Sequence, residues 1–332
     1  MPGMILAGDI GGTKVNLACL DAQDMRLAPQ NLGTYSSHDF ASLVDMARRF
    51  VSDHHVELDY ACFGVAGPVK KGRAEVTNLP WVVDALELTR ALNLQQVWLI
   101  NDLEANAHGI AGLTPEDFIV LNPGDKDAVG NAAIIAAGTG LGEAGLFWDG
   151  NRHLPIASEG GHAEFAPRTD LDLELLRYLR GRFGQVSWEH VLSGPGTLHI
   201  YEFLRDTGRG QESAWLKEEF RQVDPPIAIT RAALAGKCPL CVQTLDLFVT
   251  YYGAEAANLA LKMLGTAGVY VGGGIAPKII TKIQDGTFVK AFIGQGRMKN
   301  LLSAIPVRVI MNDKTALLGA ARFAAMKSGK IL

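Results

Sequence analysis

The stretch Leu99-Ile-Asn-Asp102 ends an apolar run in an amide followed by a carboxylate. Val97-Trp-Leu-Ile100 is short, bulky and partly β-branched, the pattern of a buried strand. Asn101 and Asp102 are therefore placed at the carboxyl edge of a sheet, where open α/β sheets bind ligands. There an amide can hold a hydroxyl while a carboxylate takes its proton, the arrangement that phosphorylation of an alcohol requires. The same residues suit a simpler task, in which Asp102 caps the helix that begins Leu103-Glu-Ala-Asn106.

Three glycine turns could hold the other reactant. In Asp9-Ile-Gly-Gly-Thr-Lys14, Gly11 and Gly12 lack a Cβ and let backbone N–H groups turn toward an anion. Thr13 and Lys14 add donors, and Asp9 could hold a hydrated Mg²⁺ beside phosphates. A plain tight hairpin would need only the two glycines. Gly138-Thr-Gly-Leu-Gly142 is the second turn, with Gly138, Thr139 and Gly140 as its candidate contacts. Gly140, Gly142 and Gly145 fit G-x-G-x-x-G, but a dinucleotide site needs a helix after the glycines. Leu146-Phe-Trp148 instead runs straight into Asp149-Gly150, so the dehydrogenase reading fails. No G-x-x-x-x-G-K-[ST] sequence is present, which excludes a Walker-type loop. The third turn, Gly272, Gly273 and Gly274, follows an apolar strand and would let a flat ring or ribose approach the backbone.

Between the turns lies Ser158-Glu-Gly-Gly-His162. The two glycines keep Glu159 and His162 off a regular helix, so helical zinc-ligand spacing does not apply. Glu159 suits a sugar-hydroxyl acceptor, and Glu189 in Ser187-Trp-Glu-His190 is a similar candidate. Each could equally be a solvated or locally paired surface residue. Cys238 and Cys241 have C-x-x-C spacing, but no second pair could complete a tetrahedral zinc site.

Elements must position these residues. The chain has 332 residues, too many for one ordinary core, so two lobes are expected. It is 48% apolar and 20% charged with a net charge of −4, and no basic tract suits a nucleic acid. The apolar stretches are too short to cross a bilayer, no export signal is expected, and the cytoplasm is the default. Met4–Ala7 and Val15–Leu20 read as a hairpin, with a third strand near Ala28–Tyr35. Then follow a helix over Phe40–His54, strand Tyr60–Val65, helix Ala85–Leu92 and strand Val97–Ile100. A similar order restarts with strand Ala132–Ala137, the second glycine turn and strand Ala144–Trp148. Helical patterns cover Leu171–Arg182, Thr197–Asp206, Trp215–Gln222 and Pro239–Leu264. Strand Gly268–Val271, helix Pro277–Gln284, the apolar run Pro306–Ile310 and helix Lys314–Met326 close the chain. The repeated glycine hairpin suggests duplicated α/β lobes facing a cleft.

Taken together, these motifs resemble the bacterial-type, ATP-dependent glucokinases of the actin-like sugar kinase group, over essentially the whole chain. The resemblance implies duplicated actin-like, ribonuclease H-like α/β lobes. We expect a small lobe of residues 1–112 plus 303–332 and a large lobe of residues 113–302. It also implies that Asp9–Lys14 and Gly138–Gly142 bind ATP phosphates, that Gly272–Gly274 binds the adenosine, and that Asp102 is the catalytic carboxylate. Asn101, Asp102, Glu159, His162, Glu189 and, more weakly, Asn78 are the implied glucose contacts. A related zinc-binding class of sugar kinases and repressors is disfavoured, because no cysteine lies between Cys62 and Cys238.

The implied reaction gives glucose 6-phosphate and ADP, the first step of glycolysis, with ATP and Mg²⁺ as cofactors. Lobe closure on glucose would exclude water, the competing nucleophile. A homodimer is usual for the proteins resembled, with no nucleic acid or membrane as partner. Two alternatives stay open, a kinase for another hexose (mannose or an N-acetyl amino sugar) and a sugar-sensing protein without useful catalysis.

Overall fold

The computed structural model describes residues 3–22, 29–76, 79–294 and 296–330. The chain divides into two compact α/β units. The first comprises Met1–Asp117, Leu154–Ala157 and Asn312–Leu332, and the second Phe118–His153 and Ser158–Met311.

In the first unit, β1 (Met4–Ile10), β2 (Lys14–Asp21), β3 (Asn31–Ser36), β4 (Tyr60–Val65) and a later strand, Gln96–Asn101, form one sheet. Its order is β3-β2-β1-β4-Gln96–Asn101, with an antiparallel meander on one side and parallel strands on the other. Helices α1 (Leu43–His54) and α2 (Ala85–Ala91) flank these strands in sequence. Ser42 and Asp84 start them by accepting the N–H groups of Asp45 and Leu86 at 3.2 and 2.8 Å. Phe50, Met46 and Leu88 share one buried cluster with Leu6, Phe63 and Val97. Helix α3 (Asp102–Gly109) and the C-terminal helix Thr315–Lys327 bury the opposite face, against Ile5, Ala7 and Ile100. These two helices pack backbone to backbone. A Cβ on Gly319 would lie 1.7 Å from the Ala105 carbonyl oxygen, so only glycine lets the C-terminal helix come this near to α3.

The second unit repeats the scheme. A hairpin of Ala132–Ala137 and Leu141–Trp148 continues through parallel strands Gly268–Gly272 and Val307–Ile310, and Phe118–Asn122 closes the edge antiparallel. The long helix Pro239–Met263 lies at the centre of the core, with Phe248, Tyr252 and Leu259 buried against Ile135 and Val271. Both units thus carry a hairpin whose first strand pairs parallel with the next, the duplicated α/β arrangement expected from the repeated glycine hairpin.

Several boundaries differ from the sequence reading. The first helix begins at Leu43 rather than Phe40, because Ser42 caps it. The strand expected near Ala28–Tyr35 is Asn31–Ser36, and Ala28 lies outside the described residues. The second hairpin strand starts at Leu141, not Ala144. The helix expected over Pro277–Gln284 is a 3₁₀ turn, Ala276–Ile279, followed by the single α-turn Ile280–Ile283. Helix Pro225–Leu234 and strand Phe118–Asn122 were not expected. The helix opens on Pro225-Pro226, which reads as a breaker yet suits the first helical turn, where the N–H has no partner anyway. Among the described residues, no single helix is long and apolar enough to cross a membrane.

Candidate active site

In the first unit the turn between β1 and β2 is closed by Gly11 N–H donating to the Lys14 carbonyl at 3.0 Å. Ser37 braces it from outside. Its N–H donates to the Thr13 carbonyl at 3.1 Å and its hydroxyl to the Gly11 carbonyl at 3.0 Å. With two carbonyls of the turn engaged this way, the bend is held in shape before any ligand arrives. Thr13 and Lys14 are exposed at its tip.

Asp9, one residue before the end of β1, lies opposite Asn16. Burial, and then the charge of Asp102, push the Asp9 carboxyl up to about 6, while Asn16 and Lys14 pull the other way. Two carboxylates that sense each other in this way suit a hard divalent cation. Mg²⁺ commonly takes one or two protein carboxylates and fills its shell with water and phosphate. No group of three or more His, Cys, Asp or Glu residues is arranged for a metal among the described residues. The donor set therefore fits a phosphate-borne Mg²⁺ rather than a protein cage.

The strand Gln96–Asn101 delivers Asn101 and Asp102 to the start of α3. The helix-capping role falls to Asn101, whose Oδ1 accepts the N–H groups of Leu103 and Glu104 at 2.9 and 3.4 Å. Its Nδ2 donates to the Gly67 carbonyl at 3.2 Å. Asp102 occupies the first helical position, its Oδ1 also 2.9 Å from Leu103 N. Asn106 Nδ2 donates to the Asp102 carbonyl at 3.0 Å, which ties this residue's backbone to the next turn.

In the second unit the glycine turn is again closed on itself, Gly138 N–H donating to the Gly140 carbonyl at 2.8 Å. Glu189 grips it from the side, its Oε2 accepting Leu141 N–H at 2.9 Å. Glu189 Oε1 also lies 4.0 Å from His162 Nδ1, and His162 Nε2 lies 4.0 Å from Glu159 Oε2. Glu159 and His162, both exposed, and the half-buried Glu189, scattered in the sequence, thus form one polar cluster beside the second turn. Their meeting depends on Gly160 and Gly161. A Cβ on Gly161 would stand 2.0 Å from the Leu141 carbonyl oxygen, so this loop can lie on the hairpin only without side chains. Pairing then continues the contact, with Phe165 N–H on the Val186 carbonyl and Trp188 N–H on that of Ala163, both at 2.9 Å.

The third turn, Gly272–Gly274, is joined to the second by Tyr252. This buried hydroxyl accepts Ala137 N–H at 3.0 Å and donates to the Gly272 carbonyl at 3.0 Å. Tyr252 and Ser37 had no motif to mark them. We expect Tyr252→Phe to leave a buried N–H unpaired, costing about 1–3 kcal/mol. Denaturant unfolding should register that loss. An unchanged midpoint would show that water replaces the hydroxyl.

Asn78 lies outside the described residues. Cys238 and Cys241 are buried free thiols, with the Cys238 sulfur accepting Cys241 N–H at the head of the long helix. Burial raises the Cys241 thiol far above its ordinary range, which removes it from thiolate chemistry.

The glucokinase family model matches residues 6–327. A Nostoc punctiforme glucokinase is 42% identical, covering 97% of this chain and 99% of that protein. A Synechocystis glucokinase is 43% identical, with 96% and 97% covered. Among solved structures, a glucokinase from an Antarctic psychrotroph aligns with a TM-score of 0.85 at 33% identity, covering 98% and 99% of the two chains.

Proposed function

The chain belongs to the glucokinase family and phosphorylates glucose from ATP, and on that premise we propose that Asp102 is the general base. Asp102 takes the proton of the 6-hydroxyl as its oxygen bonds to the γ-phosphorus. The bond from that phosphorus to the β–γ bridging oxygen breaks, leaving ADP and glucose 6-phosphate. A base placed in this way contributes about 10²–10⁴-fold, and the rest comes from positioning and charge stabilisation of a loose transition state.

The N–H groups of Gly11, Gly12, Gly138 and Gly140, with Thr13, Lys14 and Thr139, would hold the phosphates, and Gly272–Gly274 the adenosine. Asp9 would hold a hydrated Mg²⁺, which would supply positive charge to the phosphoryl oxygens. Asn101, Glu159, His162 and Glu189 would take the other sugar hydroxyls. Asn101 does so with its Oδ1 already capping α3, so its contact with sugar falls to the amide nitrogen or the second lone pair. Asn78 keeps its weaker assignment to glucose.

The observation that carries this reading is Asp102 at the first turn of α3, against Gly64, the β4 residue that pairs with Asp9, so that the acid stands beside the strand leading into the first glycine turn. The test is a coupled glucose 6-phosphate assay across several hexoses and donors. Glucose with ATP should give the highest kcat/KM. In that assay Glu159→Gln should raise KM for glucose about tenfold, the loss of one charge-assisted bond of about 1.5–3 kcal/mol in part. A rise in KM for ATP alone would take the Ser158–His162 loop away from the sugar. Homodimer formation and a cytoplasmic setting are part of the same proposal. Four buried free thiols suit a reducing compartment, and sedimentation velocity tests the dimer.

A further inference from the structure

Glu143 is an ionisable residue at a position where its strand calls for an apolar one. It lies in Leu141–Trp148 opposite Ile135, is 1% exposed, and has no assigned substrate contact. Its Oε1 has no hydrogen-bond partner among the described residues. Glu255, fully buried on the long helix, faces it. Glu255 is well supplied with donors, Asn258 Nδ2 at 2.7 Å and Lys262 Nζ at 3.2 Å. Two buried carboxylates beside one half-exposed lysine are costly to ionise together. Ile135, Gly160 and the Tyr252 hydroxyl, which is engaged with Ala137 and Gly272, also neighbour it and carry no charge. Glu159 and His162 have side chains that are 72% and 62% exposed.

The same residue underlies the Ser158–His162 loop. A Cβ on Gly160 would meet Glu143 Oε2 at 2.2 Å. Ser158 Oγ donates to the Glu143 carbonyl at 2.9 Å and accepts Gly160 N–H at 3.2 Å. Side chain and backbone of Glu143 therefore both support the loop that carries Glu159 and His162.

We propose that Glu143 is kept as the neutral acid, donates a hydrogen bond from its protonated carboxyl to the Glu255 carboxylate, and through that pair positions the Ser158–His162 loop for sugar. This rests on reading that loop as the glucose-binding one. Burial, then the Glu255 charge, holds the Glu143 carboxyl well above the ordinary carboxylate range, with Lys262 opposing. A raised folded-state pKa means that the stabilisation is fully present below the ordinary carboxylate value. It is lost as pH climbs through the raised one. Ionised Glu143 would then set two like charges beneath Gly160 and loosen the loop.

Glu143→Gln separates the possibilities, since the amide keeps the shape and a donor to Glu255 but cannot ionise. In wild-type protein, KM for glucose should rise about fivefold or more toward alkaline pH while KM for ATP stays flat. Glu143→Gln should match wild-type KM near neutrality and show a flat profile. Infrared spectra of wild type minus Glu143→Gln should contain a carboxylic acid carbonyl band that fades as pH rises. Glu255→Gln should move that fading to lower pH, which keeps the test available if Glu143→Gln fails to fold. A missing band, or identical glucose profiles in wild type and Glu143→Gln, overturns the pair. A band that is present while the variant flattens KM for ATP instead overturns the positioning role together with the sugar assignment of the loop, and leaves the shared proton standing.

Discussion

Asp102→Asn is expected to lower kcat by about 10²–10⁴-fold, the usual contribution of a positioned general base. Glucose should still bind within an order of magnitude of wild type. The substitution is nearly isosteric, and the new amide oxygen can still accept Leu103 N–H, the 2.9 Å contact of the present Oδ1. Asn101 continues to cap α3. What disappears is the ability to take a proton. The coupled assay gives kcat, and titration calorimetry gives the glucose affinity. Equal losses in both would make Asp102 a binding residue, and near-normal turnover would remove it from the chemistry. Removing its charge should also let the Asp9 carboxyl fall from about 6 toward its ordinary value, since Asp102 is the second cause of the rise after burial.

Gly319→Ala is expected to be the most damaging single methyl that can be added to the first unit. Its Cβ would stand 1.7 Å from the Ala105 carbonyl oxygen and 2.6 Å from Gly109 N, backbone atoms that no rotamer change can move. The C-terminal helix and α3 must then separate. Overpacking of this kind costs about 1–3 kcal/mol and occasionally more. Because Ala105 lies one turn below Asp102, the displacement should lower kcat as well as Tm. Thermal unfolding with steady-state kinetics checks both, and a variant unchanged in either would show that the two helices slide apart freely.

Much of this was legible in the sequence because the strands are short apolar runs bounded by turn residues, and the hairpins announce themselves through glycines. Tyr60–Val65 and Ala132–Ala137 have the expected bounds. Tertiary partners were less visible. Glu159, His162 and Glu189 could be named singly, but their gathering depends on Gly161 lying against the Leu141 carbonyl, a close approach that no local pattern encodes. Gly160-Gly161 looked like an interruption and is instead the surface on which the loop docks. Tyr252 and Ser37 were hidden because a tyrosine in a buried helix and a serine in a turn are ordinary in composition. Glu255 did leave a trace, as a lone carboxylate in the apolar run Tyr251–Ala260. The capping role, first considered for Asp102, fell to Asn101 because the strand continues one residue further than its apolar part.

The most direct measurement is a crystal structure of this protein with glucose bound. The 6-hydroxyl oxygen should lie about 2.6–3.2 Å from an Asp102 carboxylate oxygen, within reach of proton transfer. A sugar whose 6-hydroxyl faces another carboxylate, with Asp102 beyond the reach of even one intervening water, would contradict the assignment of the base.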